Sequence, residues 1–183
     1  MKIVGRAISW MTAGASGIAG ILAVLLVIHI FLDVLMRFAF QMPLDATILY
    51  VSVFYMIAVA FLPLGTLEVK EQHISVDLLV EKLPEKLQAV LSLIALLVTF
   101  VVAATVAVRT GQEALLKYAT GAYSIQASGK IITWPSYFYL PIGFGLMALV
   151  SAWKMIAKVM GRESGLRALK IEDPFLGGSN SDA

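Results

Sequence analysis

The chain has 183 residues, of which 60% are hydrophobic and 14% charged, and its mean hydropathy is +0.88. A soluble domain is about half apolar and a quarter charged, so water alone cannot solvate this surface and lipid must cover much of it. A net charge of +2 gives no footing for nucleic acid, and the absence of cysteine excludes disulfides, thiolate metal sites, iron–sulfur clusters and cysteine nucleophiles.

The first charge-free run, Ala7 to Ile28, follows Lys2 and Arg6. It is longer than the apolar core of a signal peptide and lacks a clear cleavage site, so it is read as a retained span. Ser9, Ala13 and Gly17 share one face at four-residue spacing, and Ser16 with Gly20 makes a second small pair. Such surfaces let helices approach closely, against either an internal helix or another subunit. At the other end of the span, His29, Asp33 and Arg37 fall at i, i+4 and i+8 and stack on one face. Ionisable groups near membrane depth face protein or water. One reading is a proton or ion relay; the blander and preferred one is an Asp33–Arg37 pair that snorkels to the interface or bonds to a partner helix.

Met42-Pro43-Leu44-Asp45 reads as a turn, with Asp45 at or near the start of the second helix, where a carboxylate suits the positive end of the dipole. The second run, Ala46 to Leu67, contains Pro63, which should bend its far end. The connection from Glu68 to Lys86 sets Ile74, Leu78, Leu79 and Leu83 against Asp77, Glu81, Lys82 and Glu85. That pattern predicts a short amphipathic helix along the cytoplasmic membrane surface, ended by Pro84. The third run, Leu87 to Val108, should be prolonged as helix through Gly111 to Ala119 before a loop around Gly121 to Lys130. The fourth, Ile131 to Trp153, contains Pro141, Gly143 and Gly145, which should bend it. Residues 161–183, ending in Gly-Gly-Ser-Asn-Ser-Asp-Ala, read as a flexible cytoplasmic tail.

The expected fold is therefore an all-α integral membrane protein. A single domain, residues 1–160, carries four transmembrane helices at about 7–32, 44–67, 86–109 and 131–154, each long enough for ~30 Å of hydrocarbon. Ten Lys and Arg residues flank the spans on the side of the termini and four on the other, which puts both termini and the amphipathic segment in the cytoplasm. Trp10 and Trp153 then sit at the inner boundary, and Trp134, Tyr137 and Tyr139 at the outer one. Haem is excluded because His29 and His73, the two histidines, fall on opposite sides of the membrane. No Asp or Glu lies within the four charge-free runs, which argues against an autonomous ion-driven carrier and for a helper subunit with no cofactor, metal or catalytic role.

Three segments carry a family resemblance over about Arg6 to Gly161: Asp33-Val-Leu-Met-Arg37-Phe-Ala-Phe followed by Pro43; Lys70-Glu-Gln-His73-Ile-Ser-Val-Asp77; and Trp134-Pro-Ser-Tyr137-Phe-Tyr139-Leu-Pro141-Ile-Gly143. Together they resemble the small membrane subunit, DctQ-like, of tripartite ATP-independent periplasmic (TRAP) transporters. One departure is visible: the family usually has Trp and one or two Glu at the start of the second span, where this chain has only Asp45. The resemblance implies a stable complex in the bacterial inner membrane with a large elevator-type subunit that holds the sodium and substrate sites. It also implies a periplasmic binding protein that delivers an organic acid. Residues expected to touch partner or lipid are Ser9, Ala13, Gly17, His29, Asp33, Arg37, Asp45, Lys70, His73, Asp77, Trp134 and Pro141. The competing readings are a homo-oligomeric carrier using His29 and Asp33, the small subunit of a tripartite tricarboxylate transporter, and an electron-transfer anchor.

Overall fold

Backbone N–H and C=O groups in hydrocarbon must pair within their own segment, so each charge-free run folds as helix. A computed structural model describes residues 2–42, 44–70, 85–126, 129–160 and 166. Helix α1 covers Lys2–Phe40. The second span is composite: α2 Thr47–Leu49, a π-helical stretch Tyr50–Tyr55, α3 Met56–Phe61 and α4 Leu64–Val69. Helix α5 covers Glu85–Ala119, and α6, Tyr139–Val159, continues a 3-10 turn at Trp134–Phe138. Four stretches are long and apolar enough to cross a membrane: Ile3–Phe40, Thr47–Val69, Val90–Ala119 and Trp134–Val159. The amphipathic segment with His73 and Asp77, Pro43, Pro84 and, apart from Leu166, the tail from 161 lie outside the described residues.

Between α5 and α6 the chain forms an antiparallel hairpin rather than a plain loop. Strand β1, Tyr123–Gln126, pairs with β2, Gly129–Ile132, with Tyr123 opposite Ile132. This is the one non-helical element pair among the described residues. Its base is tied by Thr133 N–H to the Ala122 carbonyl at 3.0 Å, and Lys130 Nζ stands 3.7 Å over the Tyr123 ring. The helix does extend through Gly111 to Ala119, as its composition predicts.

Helix α6 is the packing centre. It touches α5 along much of its length on one side and α3, α4 and α1 on the other. Of its most apolar stretch 39% is buried, against 6% for α5, so α5 is an edge helix with most of its surface outward. The shared core sets three alanines, Ala15 and Ala19 of α1 and Ala58 of α3, against Leu62 and, from α6, Leu146. Methyl-sized side chains let backbones close up, which is how helices associate where lipid removes the hydrophobic drive.

Pro63 interrupts the second span as expected. Its ring removes a backbone donor; the chain turns at Leu62–Pro63, and the Pro63 carbonyl restarts the helix by accepting from Thr66 and Leu67 N–H at 2.9 and 3.1 Å. A bend is expected at Pro141, Gly143 and Gly145. Helix α6 runs unbroken through them because Pro141 falls in its first turn, where a missing N–H is tolerated. Gly143 has a different duty: a Cβ there would lie 2.1 Å from the Phe61 carbonyl oxygen, so only glycine lets α6 cross the break in the second span. Gly65 does the same on the next turn, where a Cβ would meet Leu146 and Thr12 at 2.9 Å.

The Ser9/Ala13/Gly17 face is internal only at its start. Residues four apart on a helix drift by about 40° per step, and the stripe leaves the internal contact as it climbs. Ser9 is buried, Ala13 half-buried and Gly17 exposed, with nothing within 4 Å of a Cβ added at Gly17. The internal face of α1 is instead Ile8, Ser9, Thr12, Ala15 and Ala19.

Candidate functional site

The carboxylate of Asp33 organises one end of the helix layer. Helix α1 ends with Gln41 in the left-handed region (φ 58°), and the second span begins after Ala46, also left-handed (φ 61°). Two non-glycine residues in that region each cost energy, so the turn needs a fastener. Asp33 supplies it: Oδ1 accepts the Leu44 N–H at 2.9 Å and faces the Thr47 hydroxyl at 3.2 Å, while Oδ2 accepts from Arg37 Nη2 at 3.1 Å. Thr47 can alternatively donate to the Leu44 carbonyl, also at 3.2 Å. Asp33 is 7% exposed and the Arg37 side chain 60%, so the acid is enclosed and its counterion reaches outward. This constellation holds a loop, with three donors gathered on the carboxylate.

His29, one turn below, belongs to a separate aromatic group. Its ring centroid is 6.0 Å from that of Tyr50 and 5.7 Å from that of Tyr55, and Nδ1 is 3.5 Å from the Tyr55 hydroxyl. In an α-helix residues five apart diverge by about 140°. The wider π-helical turn brings both tyrosines toward one face. Ser52 spans the irregularity, its hydroxyl near the Ile48 and Leu49 carbonyls at 2.7 and 3.3 Å. Among the described residues no hydrogen bond joins His29 to Asp33, so the sequence stripe does not form a continuous relay.

A second polar seam fastens the opposite end. The Thr66 hydroxyl bonds the Thr12 carbonyl at 2.9 Å and the Ser16 hydroxyl at 2.6 Å, tying α4 to α1. Helix α6 reaches the same region with Lys154, whose Nζ donates to the Glu68 carbonyl, and with Lys158, whose Nζ donates to the Ser92 hydroxyl of α5. Counting Lys154 only as a flanking positive charge missed this. It is 7% exposed and Glu68 3%, because α6 continues as helix to Val159. The cue available in sequence was the i, i+4 spacing of Lys154 and Lys158 at the end of an apolar helix.

The remaining candidates are dispersed. Asp45 is exposed, and the start of α2 has no side-chain cap, so the acid that serves the second span comes from Asp33 rather than from Asp45. Lys70 is exposed just past α4. Trp134 packs edge-on to Tyr118 at 4.8 Å and to Phe138 at 6.1 Å, joining the 3-10 turn to the end of α5. Pro141 meets Gly111 of α5, with 3.8 Å between its Cβ and one built on the glycine.

The family model for the DctQ component of tripartite ATP-independent periplasmic transporters matches residues 26–161. The chain belongs to that family. No curated protein and no solved structure matches it. The match covers the Asp33 clamp, the broken second span, the hairpin and the Trp134 turn, and it begins beyond the Ser9/Ala13/Gly17 stripe. As a DctQ component the chain is a non-catalytic, multi-pass small permease subunit.

Proposed function

We infer that this DctQ subunit forms a stable complex with the large membrane subunit of a sodium-coupled transporter for organic acids, in the bacterial inner membrane, and enlarges the stationary scaffold against which that elevator-type subunit moves. A periplasmic binding protein docks transiently on the face bearing the hairpin, and both termini are cytoplasmic. The observation that carries the reading is the DctQ match over residues 26–161. The chemistry of the chain supports it. The carboxylate of Asp33 is bonded to Leu44, Thr47 and Arg37, and Glu68 is enclosed beside Lys154 at the end of α4. A carrier that moved cations by itself would need an acidic or coordinating group free to receive them at membrane depth. The thin helix layer also leaves broad surfaces for a partner, of which the face of α1 bearing Gly17 is the one proposed for the large subunit.

Reconstitution tests this. Liposomes holding the small chain alone should take up no organic acid under a sodium gradient, and uptake should appear when the large subunit and binding protein are added. Robust uptake by the small chain alone would promote the homo-oligomeric carrier.

A further inference from the structure

Helix α1 is too long for an upright crossing, and what its excess carries is informative. Its 39 residues span about 58 Å at ~1.5 Å per residue, against ~30 Å of hydrocarbon. If Ala7 to Ile28 alone filled the bilayer core, the remaining turns would stand about 18 Å into water. Helix α5 has an overhang of similar length past Val108, and beside exposed Leu115, Leu116 and Tyr118 it carries Arg109, Gln112, Glu113 and Lys117, with Glu113 and Lys117 paired at 3.4 Å. The overhang of α1 is poorer in such groups. Two of its ionisable groups lie on the face turned to the second span, where His29 meets Tyr50 and Tyr55 and Asp33 holds the turn, while Arg37 pairs with Asp33 and reaches outward. The rest of its outward surface is apolar: Phe31 is 64% exposed, Leu35 45% and Phe38 81%.

This ridge is continuous with the lipid-facing surface of the span below it, through Val24, Val27 and Ile28, which are all exposed. Water-facing helices carry a polar stripe opposite their packed face, and here that stripe is missing. Beyond Arg37, polar groups return at the turn, with exposed Gln41 and Asp45. From Arg6 to Gln41 the helix covers about 52 Å, and a bilayer with its headgroup layers is about 40–45 Å thick. A tilt of about 35° fits one to the other, at the upper part of the range seen for transmembrane helices.

We propose that the Phe31–Phe40 end of α1 is a lipid-contacting ridge sunk in one leaflet, so that α1 crosses strongly tilted and the Asp33–Arg37 pair lies below the headgroups. The occupant of the ridge is the acyl chains of the bilayer. This needs only that α1 crosses a membrane and does not depend on the identity of any partner subunit. It gives the clamp a physical reason: a turn approaching hydrocarbon must have its free backbone N–H, that of Leu44, bonded from within the protein. Arg37, exposed on the same helix, extends its guanidinium toward the headgroup layer.

The chain has no cysteine, so single cysteines can carry spin labels at Phe31, Leu35 and Phe38, with Val24 as the lipid control and Gln112 as the water control. Collision rates with oxygen, which concentrates in acyl chains, and with a water-soluble nickel chelate are measured in nanodiscs for the chain alone and in complex with the large subunit. Oxygen-rich, nickel-poor values at 31, 35 and 38, matching Val24 in both preparations, are expected. Nickel accessibility matching Gln112 would overturn the proposal and make the ridge a stalk in water. Shielding from both reagents only in the complex would overturn it too, assigning the ridge to the partner, while loss of co-purification bears on the subunit reading alone.

Discussion

At the scale of single residues, the chain uses its few polar groups as fasteners. Asp33 has two oxygens and three neighbouring donors, one of them a backbone N–H that no other described group serves. Asp33→Asn keeps one acceptor for Leu44 but gives up the charge; Asp33→Ala leaves Leu44 N–H and Arg37 without their partner. The expected order of melting temperatures in detergent is therefore wild type, Asn, then Ala. Thr47→Val removes a hydroxyl donor to the carboxylate and should cost about 1–3 kcal/mol. Normal melting with selective loss of sodium coupling in Asp33→Asn would instead revive the relay reading.

At the scale of elements, the second span is the irregular one, and each irregularity is matched by a neighbour. The break at Pro63 is crossed by Gly143, and the π-helical turn at Tyr50–Tyr55 is filled by His29. A methyl group at Gly143 would strike the Phe61 carbonyl, whereas one at Gly145 meets nothing within 4 Å. Gly143→Ala should therefore destabilise the isolated subunit by about 1–3 kcal/mol or more, the usual range for overpacking, and Gly145→Ala should melt near the wild type. Equal melting of the two variants would show that α6 does not cross the second span where Gly143 lies.

At the scale of the whole molecule, four helices of which the most enclosed has 39% of its apolar stretch buried leave much surface to lipid or to a partner. Gly17 separates internal from external packing, since a side chain there has free space in the subunit. Gly17→Leu should leave the melting temperature of the isolated chain unchanged and reduce the yield of complex with the large subunit, measured by co-purification. An unchanged yield would move the contact to another face. Orientation is tested separately. A cysteine at Tyr123, on the hairpin, should react with an impermeant thiol reagent in intact cells, and labelling only after permeabilisation would invert the topology.

The sequence by itself determined that the chain is a four-span helical membrane protein, because four charge-free runs of sufficient length admit no other backbone solution in hydrocarbon. It also determined the family, through the order of the Asp33–Arg37 segment, the Lys70 segment and the Trp134 turn, and it paired Asp33 with Arg37, since i, i+4 spacing on a helix is a local matter. Only the tertiary structure decided what those groups are for. That Asp33 rather than Asp45 serves the second span depends on how the turn at 41–46 folds back, and two left-handed residues of ordinary type give no signal in sequence. That Tyr50 and Tyr55 share His29 depends on a π-helical turn, which breaks the period from which faces are read. That Lys154 is buried, Gly17 open and Gly143 pressed on a carbonyl depends on which neighbour each helix meets, and in lipid apolar faces look alike whether they meet a neighbour or acyl chains.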